Sequence, residues 1–273
     1  MKVIIRKDSA TSARAAAAQI STSFHSEPHG VLGIATGSSP QPLYEALTTL
    51  VADGLDLGGI TAFALDEYVG LDRSHPQSYR SIIDRDVTVP LRLDRSRVFV
   101  PEGDTAAVTR TAAAYDSAIR EAGGIRLQIL GIGTNGHIGF NEPGSPRDSR
   151  TRVVGLAEST RADNSRFFTT PSDVPSAAVS QGIGTICEAL AIIVMANGSH
   201  KAEAVRDAIE GPVTEESPAS LLQLHPDVTF YLDEDAASLL RENDRADDRH
   251  DAAAVLVSRA PIGAVQAAAD TPV

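Results

Sequence analysis

Three apolar stretches of this chain run straight into side chains that can do chemistry. ILGIGTNGHIGFNEPG carries Gly131, Gly133 and Gly136 at the G-x-G-x-x-G spacing of a dinucleotide-binding turn, and it also presents His137 and Glu142. An imidazole partnered by a carboxylate exchanges protons near neutral pH. ALDEYVG places Asp66 and Glu67 directly after an apolar run, where burial would raise a carboxylate's pKa and make it a base. Adjacent residues of a strand point to opposite faces, so one of the two at most faces a shared site. ATGSSP offers the backbone of Gly37 and the hydroxyls of Ser38 and Ser39 ahead of a helical pattern. A helix start of that kind suits a phosphate, although Ser39 would serve equally well as a plain N-cap.

The elements that must hold these turns follow from periodicity. Residues 12–24, 40–54, 104–124 and 199–211 read as amphipathic helices. GITAFALDEYVG, IRLQILGIG, RVVGLA and LAIIVMANG read as strands, as does the segment around VLGI; VTFYLDEDAASLLREN reads as a strand passing into a helix. Strands alternating with helices predict a mainly parallel sheet covered on both faces, with ligands at the carboxyl ends of its strands. The three loaded turns are thus candidates for one site. The dinucleotide reading also requires a helix after Gly136, but NEPGSPRDSRT has two prolines and a glycine there, so the obligatory crossover helix is missing.

Composition narrows the function classes. A formal charge of -12 with pI near 5.0 argues against nucleic-acid or anionic-membrane partners, which require a basic patch. No apolar run reaches the ~20 residues of a membrane span, and the N-terminus lacks a signal-peptide core, so a cytoplasmic location is expected. The single cysteine, Cys187, excludes an internal disulfide and reads as a small buried residue. The lysines are Lys2, Lys7 and Lys201, which leaves Lys201 alone in the body of an arginine-rich chain. Such a position either survives by chance or needs a compact ammonium. One domain is expected over residues 1–250, and the alanine-rich 251–273 reads as a C-terminal tail of uncertain order.

LDEYVGL, GHIGFNEPG, ADNSRFF, the GSHK turn and LLQLHP, in this order, resemble the signature segments of the glucosamine-6-phosphate deaminase family. The resemblance runs from Ala35 to about Pro226 and implies a three-layer α/β/α fold with a modified Rossmann-like sheet. It also implies conversion of D-glucosamine 6-phosphate and water to D-fructose 6-phosphate and ammonia, without metal or redox cofactor. On the matching positions, Asp66 is the base moving a proton between C2 and C1 of the opened sugar. His137 assists ring opening, and Glu142 orients and tunes it. The phosphate falls to Gly37, Ser38 and Ser39 with Arg166 and Lys201 closing on it. Many members carry an aspartate where this chain has Asn135, which can hydrogen-bond but carries no charge. Allosteric members bind N-acetylglucosamine 6-phosphate between subunits through basic residues after the NEP loop; Arg152 fits, while Val154 stands where those members have lysine. Monomers and hexamers both occur in the family, so a homo-oligomer is possible.

Three rivals remain at this stage. A 6-phosphogluconolactonase would share the fold and a G-H turn, but its signature favours D-E-R and G-H-T-A-S over DEYVG and GHIGFNEPG. A sugar-phosphate sensing domain would need no proton-transfer groups. An NAD oxidoreductase would bind its cofactor. Within the deaminase reading, galactosamine 6-phosphate is the alternative substrate, because contacts at C4 depend on pocket shape.

Overall fold

The computed structural model describes residues 1–241. The tail expected over 251–273 lies outside the described residues.

The strands are β1 Lys2–Arg6, β2 Val31–Ile34, β3 Thr61–Ala64, β4 Asp66–Tyr68, β5 Val98–Phe99, β6 Leu127–Gly131, β7 Arg152–Gly155, β8 Ala177–Ser180, β9 Ala191–Ala196 and β10 Val228–Asp233. The α-helices are α1 Ser9–Ser26, α2 Gln41–Ala52, α3 Tyr79–Ile83, α4 Val108–Glu121, α5 Glu158–Asn164, α6 Ile183–Ile186 and α7 Ala202–Ile209. Seven strands form a sheet in the order β1-β10-β9-β6-β2-β3-β5, every pair parallel, with helices on both sides. Burial on both faces explains why VLGI and VTFYLD are buried throughout instead of alternating.

Local chemistry sets the helices that flank the site. Asp8 caps α1 by accepting from Thr11 N at 2.8 Å, and Ala13, Ala16, Ala17, Ile20 and Phe24 form its buried face. α2 begins after Pro40 with Pro42 in its first turn, and it buries Leu43, Tyr44, Leu47 and Val51 at helical spacing.

From β2 the chain winds outward through β3 to β5, then returns to lay β6 on the other side of β2. The junction of β2 and β6 is therefore the point where the winding reverses, and ligands of open α/β sheets bind there. ATGSSP follows β2 and GIGTNGHIGF follows β6, so two of the three loaded turns meet at this point.

Three readings of the sequence need correction. ALDEYVG is not one strand: Leu65 N donates to Ile34 O at 3.0 Å, Gln181 N donates to Leu65 O at 2.8 Å, and the chain changes sheets at that residue. β4 then joins a separate antiparallel sheet, β4-β8-β7, so RVVG belongs to that sheet and not to the parallel one. The segment after β10 turns over 234–239 instead of forming a helix, with the Asp233 carboxylate accepting from Gly198 N and Ala236 N. Residues 138–151 contain no helix, as the prolines indicated. No described helix is long and apolar enough to cross a membrane.

Candidate active site

A cleft opens over the adjacent carboxyl ends of β9, β6, β2 and β3 and is walled on one side by residues of α5 and the turn after it. Gly37, Ser38, Ser39, Asp66, His137, Arg166 and Lys201 all line it. Glu142 and Asn135 stand behind His137.

Asp66 reaches the cleft because the chain changes sheets one residue before it. Its neighbour Glu67 points the other way and accepts from the backbone of Tyr68, Tyr79 and Arg80 at 2.8–2.9 Å, pinning the start of α3. Asp66 is only 6% exposed, and no described residue donates a hydrogen bond to its carboxylate. Burial, with the Glu67 charge beside it, pushes its pKa up to about 8. A carboxylate so placed is a strong proton acceptor in a dry setting.

His137 belongs to a three-membered chain. Asn135 Nδ2 donates to Glu142 Oε2 at 2.8 Å, while Asn135 Oδ1 lies 2.7 Å from His137 Nδ1. A carboxylate can only accept, so the amide must turn its NH2 to Glu142 and its oxygen to the ring. Nδ1 is thereby the protonated nitrogen and Nε2 carries the free lone pair. Glu142 Oε2 lies 3.6 Å from Nδ1, close enough for its charge to act on the ring through the bridging amide. Burial would raise the Glu142 pKa, but the His137 ring together with Thr160 and Asn135 holds it at about 2.

The glycines have structural reasons unconnected with a dinucleotide. A Cβ on Gly133 would lie 2.2 Å from the His137 ring, so the imidazole packs where a side chain would be. Gly136 adopts φ +82°, a conformation that favours glycine. After β2, α2 takes Pro40 as its N-cap and no side chain caps it. The hydroxyls of Ser38 and Ser39 are therefore not spent on capping. Lys201 ends the short turn before α7, where burial and the nearby Arg166 lower its pKa and Asp163 opposes that. Two cations held close around an uncapped helix start form a place for an anion.

With this geometry in place, sequence relationships decide the family. The model of glucosamine-6-phosphate isomerases and 6-phosphogluconolactonases matches residues 7–230. The chain belongs to this family. Glucosamine-6-phosphate deaminase of Pseudarthrobacter chlorophenolicus is 48% identical over 241 residues, covering 88% of this chain and 93% of that protein. The protein of the same name from Rhodopirellula baltica is 51% identical over 215 residues, covering 78% and 86%. The solved structure of a monomeric glucosamine-6-phosphate deaminase superposes with a TM-score of 0.85 at 39% identity, covering 88% of this chain and all of that one. 6-Phosphogluconolactonase from Trypanosoma cruzi shares the fold, with a TM-score of 0.69 at 21% identity.

Gly37, Ser38, Ser39, Asp66, His137, Arg166 and Lys201 thus line one cleft of a family member with Asn135 and Glu142 behind His137, whereas Glu67 turns away to the start of α3. Several contributors gave no sequence signal. Thr160 donates to Glu142 Oε1, and Asn164 Nδ2 donates to the Tyr68 hydroxyl at 2.9 Å. Asp163 lines the cleft near Lys201, and Phe167 stacks under the Arg166 guanidinium at 4.7 Å. Asn164 and Asp163 lie inside ADNSRFF, so that motif pointed to the segment without pointing to them. Arg152 is held inward, donating to Asn141 Oδ1 at 2.9 Å. Cys187 has its pKa pushed up by burial to about 11, which leaves the thiol unreactive at neutral pH.

Proposed function

We propose that this protein is a glucosamine-6-phosphate deaminase, converting D-glucosamine 6-phosphate and water to D-fructose 6-phosphate and ammonia. The observation that carries the reading is the buried Asp66 lining the same cleft as His137 and the cationic pair Lys201 and Arg166. The names of the relatives support it. The phosphate sits against Gly37, Ser38 and Ser39 with Lys201 and Arg166. His137 Nε2 takes the proton of the C1 hydroxyl and returns it to the ring oxygen as the pyranose opens. Asp66 removes the C2 proton and delivers it to C1 while the C2 ammonium gives up one proton to O1, turning the protonated amino aldehyde into a C2 iminium. Water adds at C2, and ammonia leaves. The reaction balances with water alone and calls for no cofactor. A phosphorylated amino sugar is a cytoplasmic catabolite, such as N-acetylglucosamine breakdown supplies, so the protein works there on a small molecule, away from nucleic acid and membrane.

Two expectations follow from the electrostatics. General-base action needs ionised Asp66, so kcat/KM rises with pH through a limb near 8. In the kcat profile the limb lies lower, because the bound substrate's ammonium group at C2 favours the ionised carboxylate. Parallel kcat/KM and kcat profiles over pH 5–10 measure both limbs. Replacing Lys201 by Ala removes a charged contact to a phosphate remote from the reacting carbons, so KM rises about 10- to 100-fold while kcat holds. Steady-state kinetics check this, and a defect confined to kcat would contradict the phosphate role.

The decisive assay offers glucosamine 6-phosphate, galactosamine 6-phosphate and 6-phosphogluconolactone side by side. Ammonia release from the first, exceeding that from the second, with no hydrolysis of the third, is the expected pattern. Lactone hydrolysis without ammonia release would overturn the reading.

A further inference from the structure

Glu142 is held from two directions. Asn135 Nδ2 donates to Oε2 at 2.8 Å, and the Thr160 hydroxyl donates to Oε1. The last torsion of a glutamate is soft, so a single donor on one oxygen leaves the group free to swing. Donors on both oxygens remove that freedom. Thr160 is 5% exposed and lies in the first turn of α5, and its β-branched side chain has few rotamers to lose. Six residues further, Arg166 projects from the 3-10 turn Ser165–Phe167 that continues α5. The rise per residue separates the two by about 10 Å along the segment. Thr160, Asp163, Asn164, Arg166 and Phe167 all line the cleft. Between the two ends, Asn164 fastens the segment to the Tyr68 hydroxyl, two residues from Asp66. One short piece of chain thus touches the carboxylate behind His137, the strand carrying the base and the anion site.

We propose that Thr160 is a positioning residue: its hydroxyl locks the Glu142 carboxylate against the Asn135–His137 pair, and the segment that carries it ties this lock to Arg166. The inference rests on the deaminase reading for its kinetic consequence, but the lock itself can be tested without substrate. Thr160 touches the carboxylate and not the reacting carbons, so it acts through Glu142.

Thr160→Val keeps the shape and removes the donor, whereas Thr160→Ser keeps the donor. In Thr160→Val, kcat for ammonia release falls about tenfold, the size expected for losing a hydrogen bond to a charged group. KM stays within about twofold and the Asp66 limb does not move, because neither the phosphate contacts nor the base has changed. Thr160→Ser restores kcat. The second readout is the 13C carboxyl resonance of Glu142, assigned through Glu142→Gln. Its titration moves to higher pH in Thr160→Val and stays in place in Thr160→Ser. Saturating inorganic phosphate shifts this resonance in the wild-type protein and leaves it unmoved in Thr160→Val.

A Val variant with wild-type kcat and an unmoved Glu142 titration would overturn the proposal. So would a Ser variant as impaired as Val, a loss expressed only in KM, or a phosphate response that survives in Val. A wild-type protein that released no ammonia would defeat the deaminase reading, and the Glu142 titration and its phosphate response would still decide the role of Thr160.

Discussion

Asp66→Asn is expected to abolish turnover and stabilise the fold at the same time. The loss follows from removing the group proposed to carry a proton between C2 and C1, which costs about 10²–10⁴-fold or more. The gain follows from linkage. In the unfolded chain this carboxyl ionises near its usual value of about 4, while in the fold it holds its proton to about 8. Between those values the native state binds more protons than the unfolded state, so stability falls as pH rises. Below the interval the penalty is absent, and above it the penalty is constant. The amide carries no such penalty. Its melting temperature should match the wild type near pH 4, exceed it by several degrees at pH 8, and keep that margin above, since the penalty amounts to a few kcal/mol. Thermal melts of both proteins across pH 4–9 measure this. A difference in melting temperature that ignored pH would show that the carboxylate is not strained by burial. Inorganic phosphate should protect both proteins equally, because Asp66 is not among the residues proposed to hold it.

Gly133→Ala is the second large effect, and it tests the glycine-rich turn directly. A methyl group 2.2 Å from the His137 ring cannot be accommodated by the backbone, so the imidazole must move. Displacement by ~1 Å of a group that must meet a substrate oxygen costs about 10²-fold in rate. The expected result is a kcat loss of that size, with KM and phosphate protection close to wild type. A Gly133→Ala protein of normal kcat would mean that His137 has no role in the position seen here. A dinucleotide site would instead lose cofactor affinity on this substitution, which the same protein can be assayed for.

The residues that gather at the cleft were readable from sequence because they sit in turns, where glycine, proline and polar residues leave a local mark. Asp66, His137, Glu142, Ser38, Ser39 and Lys201 each follow an apolar strand or open a helix, and that position is what made them visible. The parallel sheet was readable for the same reason, since strands buried on both faces are continuously apolar. The break at Leu65 was not readable. TAFALDEYV is apolar enough to run on as one strand, and the change of sheet depends on Ile34 and Gln181, distant in sequence. The short β8 and the residue pairs Thr160–Glu142 and Asn164–Tyr68 were hidden likewise, because a lone threonine or asparagine in a polar stretch has no periodicity to declare its partner. Asn135 stood out only as a departure from an aspartate. The geometry gives it a definite place, one amide serving carboxylate and imidazole together.

The central claim is that one buried carboxylate moves a proton from C2 to C1 before ammonia leaves. Glucosamine 6-phosphate carrying deuterium at C2 tests it most directly, with the product examined by NMR and ammonia measured in the same sample. Because Asp66 is almost shielded from water, part of the deuterium should appear at C1 of fructose 6-phosphate, one ammonia should be released per product, and Asp66→Asn should form neither. Undiminished turnover in Asp66→Asn, with the same deuterium at C1, would contradict the account.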